Sequence, residues 1–542
     1  MSKSDQNLQS AGSLWKFLEN REVYPHKPES IKHIQTHISH VFMAPPFVYK
    51  IKKAVDFGFL DYSTLDKRKH FCEREVELNR RLCTDIYLGV IPISKNGDTF
   101  TFNSENPEAI VEYAVKMNML DAKYFLYSYI ENNTLSEEHL DRVAEKLSGF
   151  YQQQEPGEDI LQYGEIEQIR FNTEENFQQT ESFIGKTIEN EEYQAIKYFT
   201  DRYFEKNHSL FNRRINQKRI VDGHGDLHLE HIHINPKSIC IYDCIEFNER
   251  FRCGDLAADL AYLAMDLDFQ ECRNESRYFV EQMAQKLNDP DLLKIIDFYK
   301  CYRGYVKGKV KSLQSTGDEN SPKKRNQLQK TATDYFHLSL RYALLGSKPV
   351  QLIFMGRIAT GKSTLAEHMA KSLNIDHISS DRIRKKLAGL PLYKRPSAQK
   401  RKELYSEEMS KKTYQHLFDE ITVHINSGES AILDATFSKR AHRKELKNLF
   451  ESVQANYLFI ETQAPDETIL ARLKTRGKEM GAVSDARLED FDKLTAKYES
   501  PEELSERNLL KVSTKGSLTE TLENLYEKLV DHRLLQKRVR IN

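Results

Sequence analysis

From Val350 onward the apolar residues of this chain arrive as short, unbroken runs separated by segments of helical period. The runs are VQLIFM at 350–355, HIS near 377–379, SAILD at 430–434, NYLFIE at 456–461 and LLKVS at 509–513. Runs of that length predict strands buried on both faces, and their alternation with helices predicts a parallel sheet. Upstream the pattern is mixed. Residues 222–234 and 239–247 each read as a loop bounded by alternating apolar positions, which predicts a β-ribbon. DLAADLAYLAMDLDF, near 255–269, reads as an apolar helix. Two helical segments, DLLKIIDFYKCYRGYVKGKVK and TATDYFHLSLRYALL, flank the polar stretch 312–330, which its Gly, Pro and mixed charge mark as a loop. The second segment stops at Gly346. The expected boundary therefore lies at 346–350, giving domains 1–346 and 350–542, with the two flanking helices paired to close the first.

Composition narrows the class. A chain of 542 residues exceeds one ordinary core, and 39% hydrophobic with 30% charged residues describes a soluble globular protein. A net charge of −1 excludes a global basic field for nucleic acid or anionic lipid. The first dozen residues are polar, and no apolar run approaches the roughly 18 residues of a membrane span, so a cytoplasmic location is expected. Seven cysteines without a CxxC pair read as reduced thiols.

The segment Gly356-Arg357-Ile358-Ala359-Thr360-Gly361-Lys362-Ser363 fits GxxxxGK[ST] between a strand and a helix, with Thr364 next. Glycines let backbone amides turn inward around phosphate oxygens, and the helix that follows presents its positive end. Lys362 supplies a cation for the terminal phosphates of ATP, and the Ser363 hydroxyl is placed to ligate Mg²⁺. Asp381-x-x-Arg384 follows the second strand, where Asp381 is positioned to take a proton from an attacking hydroxyl and Arg384 to neutralise phosphate charge. Asp434 ends a buried strand, placed to hold Mg²⁺ or its water or to line the acceptor pocket. Arg440 and Arg443 beyond it read as acceptor contacts or as helix surface, with surface the better reading for each alone. Arg472 and Arg476, one helical turn apart before RGKEMGAVSDAR, read as lid arginines, with Arg487 beyond. Together these residues resemble P-loop kinases that phosphorylate hydroxyls: polynucleotide 5′-kinases, zeta-type toxins and small-metabolite kinases. The resemblance covers 350–542 and implies Asp381 as general base.

In the first domain the densest motif is Asp222-Gly-His224-Gly-Asp226-Leu-His228-Leu-Glu-His231-Ile-His233, followed by Cys240-Ile-Tyr-Asp243-Cys244 and then Asp255 and Asp259. Asp226 has the chemistry to orient or deprotonate a hydroxyl and Asp243 to ligate Mg²⁺. These residues resemble the aminoglycoside phosphotransferase and choline kinase superfamily. The resemblance implies a two-lobed, protein-kinase-like α+β domain. In it Lys50 is the ATP-phosphate lysine, Glu75 its partner, and 111–117 the connection that cradles adenine. His231 stands where that family has a metal-binding Asn, and imidazole is a poor ligand for hard Mg²⁺. No Gly-rich loop precedes Lys50. His224 and Asp255 read as structural, ordering the loop through buried hydrogen bonds. A zinc cluster among the four histidines, Cys240 and Cys244 matches no ligand-spacing template.

The whole chain resembles bacterial bifunctional aminoglycoside phosphotransferase/ATP-binding proteins, with a P-loop part of the kind grouped with AAA family ATPases. The implied function is ATP-dependent phosphate transfer by the P-loop domain to a hydroxyl of a small molecule or nucleotide, beside a kinase-like domain that departs from its family's active pattern. A regulatory ATPase with a ligand-sensing first domain is one alternative. A nucleic-acid 5′-end kinase using Lys385, Lys386, Lys394, Arg395, Lys400, Arg401 and Lys402 is another.

Overall fold

The computed structural model of the protein describes residues 14–97, 99–102, 106–317, 320–393, 396–478 and 487–539. The chain divides into two units that interleave in sequence: Met1–Arg170 with Ser209–Tyr299, and Phe171–His208 with Lys300–Asn542. The helix Asn190–Asn216 runs across one dividing point and carries a non-helical residue there, Asn207 (φ −120, ψ 18).

The first unit begins with β1 (Lys32–Gln35), β2 (Ser39–Ala44), β3 (Phe47–Lys52), α1 (Leu65–Arg80), β4 (Tyr87–Asn96), β5 (Thr99–Phe102) and β6 (Ile110–Asn118). The strands form one antiparallel sheet in the order β1-β2-β3-β6-β4-β5. Residues 111–117, expected as a connection between lobes, are instead an interior strand hydrogen-bonded to β3 on one side and β4 on the other. Helix α1 is held at its start by the Thr64 side chain, which accepts from the Lys67 amide, and it buries Cys72, Glu75 and Val76. The rest of the unit is mostly helical. It includes β7 (Ile220–Asp222), β8 (Ile232–Ile234), β9 (Ile239–Ile241), β10 (Cys253–Asp255) and the buried helix α2 (Leu256–Phe269). The expected ribbon is the β8–β9 pair, with Asp226 before it and Asp243 after it.

The second unit contains β11 (Val350–Met355), α3 (Lys362–Leu373), β12 (Asp376–Ser379), α4 (Ser380–Leu387), α5 (Glu407–Ser427), β13 (Ala431–Asp434), α6 (Arg440–Ser452), β14 (Asn456–Gln463), α7 (Asp466–Lys478), β15 (Leu509–Ser513) and α8 (Leu518–Val539). The sheet is five-stranded and parallel, in the order β12-β13-β11-β14-β15, so every apolar run of the sequence is a strand. Its core joins Ile353, Leu433 and Phe459 of three strands to Leu417 and Ile421 of α5 and Phe450 of α6.

Two expectations are corrected here. The stretch 312–330 is not one loop. Helix Leu292–Ser315 runs into it, and helix Pro322–Leu344 starts inside it, because Ser321 caps the Lys324 amide and Pro322 occupies the first turn. The units also do not divide at 346–350. Residues 171–208 and 300–346 cluster with the P-loop sheet. The physical reason is α8: Tyr198 donates to Asp531 at 2.9 Å, Arg202 to Asp531 at 3.1 Å, and Arg533 to the carbonyls of Tyr342 and Ala343. A fragment beginning at 347 would lose all of these.

Candidate functional site

In a parallel sheet the side chains that meet a ligand stand at the carboxyl ends of the strands, and the register identifies them. Phe354 of β11 and Ser379 of β12 both lie opposite Asp434, the last residue of β13. The loop after β11, the first turn after β12 and the Asp434 carboxylate therefore share one edge. β11 has β13 on one side and β14 on the other, so the loop sits where successive connections part to opposite directions.

The loop turns at both of its glycines through positive φ. Gly361 caps α3 with φ 93 and ψ 6, and Gly356 has φ 143. A Cβ on Gly356 would lie 2.6 Å from the Thr462 carbonyl oxygen, so that position excludes any larger residue. Thr360 Oγ1 bonds the Arg357 carbonyl at 2.8 Å and Thr462 Oγ1 at 2.7 Å, tying the loop to β14. Lys362 is half-buried, while Ser363 and Thr364 are exposed. Arg357 points away from the loop interior, bonding the Ala464 carbonyl at 3.0 Å and Asp466 at 2.8 Å. A cleft of about 510 Å³ lies beside the loop, lined by Arg357, Gln463 and Thr495 among others. In it the buried Glu461 accepts from Tyr498 and Gln463.

Asp434 is the charged centre of the edge. Burial alone would raise its carboxyl. His377, the Lys362 ammonium and the Ser363 hydroxyl outweigh burial and hold it below its ordinary range. Its Oδ1 is buried without a hydrogen-bond partner among the described residues, and His377 Nε2 lies 3.6 Å from its Oδ2. An orphaned anionic oxygen next to a P-loop hydroxyl fits Mg²⁺. Asp434 and Ser363 are the residues that would hold the ion, whose chemistry is neutralisation of phosphate charge.

The other expected residues divide. Asp381 lies in the first turn of α4, partly buried, two residues past the β12 end. Arg384 does not face open space: its Nη1 bonds the Leu404 carbonyl at 3.1 Å and Ser410 at 3.3 Å, and its guanidinium lies over the Tyr405 ring. Arg472 is already on the loop, bonding the Ala359 carbonyl at 3.4 Å and Thr514 Oγ1 at 3.1 Å. The side chain of Arg476, residues 479–486 of the expected lid, and Lys394 and Arg395 lie outside the described residues. Of the basic run, Lys385 is buried against the Leu392 carbonyl and Arg401 pairs with Asp490.

Sequence reading missed Glu461, Tyr498, His377 and Thr514. His377 had a legible signal, since it sits two residues before Ser379 and so shares its face of β12. Arg443 was misjudged. It is fully buried, bonding Glu503 through Nε at 2.5 Å and Nη2 at 3.1 Å, and the Phe437 carbonyl at 2.8 Å. Arg443→Ala leaves the Phe437 carbonyl without its donor and Glu503 with only the more distant Arg440 at 3.9 Å, and is expected to cost about 3–5 kcal/mol. Urea unfolding checks this; a loss below about 1 kcal/mol would mean the pair contributes no more than a surface bridge.

In the first unit Lys50 bonds Glu75 at 2.9 Å and Asp243 at 2.6 Å, while Lys52 bonds Glu75 at 2.7 Å and also Glu246. Burial alone would raise Asp243 and lower Lys50. Their mutual attraction prevails, holding the carboxyl well below and the ammonium well above their usual ranges. Asp259 orders the loop that carries Asp226, accepting from the His224 amide at 2.6 Å and the Gly225 amide at 2.8 Å. Asp255 pairs with Arg214, which also bonds Asp289 at 2.9 and 3.0 Å. Cys83 and Cys240 form a disulfide with Cα atoms 4.7 Å apart, correcting the expectation of reduced thiols throughout. The two residues are 157 apart in sequence, so no spacing pattern announced the pair. Among the described residues no helix is long and apolar enough to cross a membrane.

Residues 352–501 match the family model described as an AAA domain. Uncharacterized proteins of Mycobacterium tuberculosis and Mycobacterium bovis are each 28% identical over 465 residues, covering 85% of this chain and 89% of theirs. A putative kinase from Chloroflexus aurantiacus is similar at 19% identity and TM-score 0.28, over 34% of this chain and 98% of its own. A gluconokinase from Sinorhizobium meliloti is similar at 16% identity and TM-score 0.26, over 36% of this chain and 98% of its own. The C-terminal part of this chain is thus a P-loop domain built on a parallel sheet.

Proposed function

We propose that the second unit is a Mg²⁺- and ATP-dependent kinase that transfers phosphate to a hydroxyl of a small molecule or nucleotide. The observation that carries this reading is the shared strand edge. The Lys362–Ser363 turn, the orphaned oxygen of Asp434 and the first-turn Asp381 converge there. Lys362 and the inward amides grip the terminal phosphates, Ser363 and Asp434 hold the metal, and Asp381 accepts the hydroxyl proton as the hydroxyl oxygen attacks. Arg472, already bonded to the loop, supports the Ala359 turn. Arg384 positions α4 instead of contacting phosphate in this conformation.

The transfer is assigned to this unit and not to the first. There a turn carrying Pro45 and Pro46 precedes the Lys50 strand, and His231 stands near Asp243 in place of a neutral oxygen ligand. An end kinase for nucleic acid is disfavoured because Lys385 and Arg401, which would line its channel, are engaged by protein groups.

The test uses the full-length chain, γ-labelled ATP with Mg²⁺, and a panel of hydroxyl-bearing metabolites, nucleotides and 5′-hydroxyl oligonucleotides. Label is expected on one acceptor class for the wild type and for Asp226→Ala, and on none for Lys362→Ala. Release of labelled inorganic phosphate with no acceptor labelled, sustained across the panel, would replace this reading with a regulatory ATPase.

A further inference from the structure

The loop after β7 carries an arrangement that the kinase reading does not use. Asp226, His228 and His231 each offer a ligand atom within 4.8 Å of the others. Asp226 Oδ2 lies 3.4 Å from His228 Nε2 and 3.6 Å from His231 Nδ1. An ion with bonds of about 2.1 Å has neighbouring ligand atoms roughly 3.0–3.4 Å apart, close to the two separations from the Asp226 carboxylate.

The donor and acceptor balance also calls for a cation. His231 Nδ1 lies 2.9 Å from the Asp226 carbonyl oxygen, and its Nε2 lies 3.4 Å from Asp243 Oδ2. A neutral imidazole has one N–H, so either tautomer leaves a lone pair facing an oxygen. Only a doubly protonated ring, or one whose Nδ1 is taken by an ion, answers both sides. An ion taken by Nδ1 in place of its contact with the Asp226 carbonyl would leave Nε2–H on the side of Asp243, the carboxylate–histidine–metal relation that fixes ring orientation in metal sites.

The loop is held ready for this. Besides the two amides bonded to Asp259, the Leu229 amide donates to Asp266 at 3.0 Å. The other histidines of the sequence motif lie outside this group, His224 against the Tyr242 carbonyl and His233 against the Asp121 carbonyl, and Cys240 is joined to Cys83.

We propose that Asp226, His228 and His231 form a site for a divalent first-row transition ion, with Asp243 orienting the His231 ring. Two imidazoles and one carboxylate suit ions from Mn²⁺ to Zn²⁺ and disfavour Mg²⁺ and Ca²⁺, which take oxygen ligands. The proposal is independent of phosphate transfer by the second unit.

The test takes chelator-stripped full-length chain, without nucleotide, through equilibrium dialysis against Zn²⁺, Mn²⁺ and Mg²⁺ separately, with metal counted by mass spectrometry. About one equivalent of Zn²⁺ or Mn²⁺ and no retained Mg²⁺ are expected. His228→Ala and His231→Asn are expected to lose that equivalent, and Asp243→Asn to weaken it about 10–100-fold. Pulsed electron paramagnetic resonance of the wild type loaded with a single equivalent of Cu²⁺ needs no variant to fold, and is expected to count two coordinated imidazoles. Absence of any retained transition ion, equal retention of Mg²⁺, unchanged stoichiometry in both histidine variants, or fewer than two imidazoles would each overturn the proposal.

Discussion

Lys362→Ala is expected to lower ATP turnover by the full-length chain at least about 10²–10³-fold, the effect of deleting one preorganised group that stabilises transition-state charge. The size follows from where the ammonium sits. It enters α3 directly after the left-handed Gly361, half-buried, and its charge reaches Asp434. An ion fixed in that position costs no reorganisation when charge develops on the transferred phosphate, whereas water replacing it must reorient. Folding should survive, because alanine is a better helix former than lysine at a first-turn position and Lys362 fills no core space. Steady-state turnover with Asp226→Ala in the background confines the readout to the second unit. An unchanged rate in that double variant would remove the P-loop from the chemistry altogether.

The parts of this molecule that were legible in sequence are those whose physics is local. Each strand of the parallel sheet is one of the short apolar runs, and the GxxxxGKS pattern marks the turn after the first of them. What stayed hidden depends on partners far along the chain. The apolar faces of helices 190–216 and 322–344 announce burial but not against what, and part of the answer is α8, whose Asp531 meets the first and whose Arg533 meets the second. Arg443, in RAHRKEL, has the surroundings of a surface residue until Glu503, 60 positions away, arrives beside it. The disulfide has the same character. The histidine cluster was visible as a composition, yet only the folded loop puts His228 and His231, and not His224 or His233, against the Asp226 carboxylate.

The second large effect concerns Asp381. Asp381→Asn is expected to reduce phosphate transfer by about 10²–10⁴-fold with ATP affinity unchanged, the range for loss of a positioned general base. The competing role is structural: a carboxylate in the first turn of α4 also favours the helix dipole, which at such a position is worth about 0.3–1 kcal/mol. The two roles separate cleanly. If Asp381 only caps α4, the asparagine variant should unfold slightly earlier and transfer phosphate at nearly the wild-type rate. If it takes the acceptor proton, transfer collapses while the melting curve hardly moves. Arg384→Ala serves as the contrast. Its guanidinium holds the Leu404 carbonyl and Ser410, so its loss should appear mainly in stability, through a buried carbonyl left without a donor. Measuring kcat, the ATP KM and urea unfolding for both variants decides the matter: a base lies behind kcat alone, and a positioning residue moves all three.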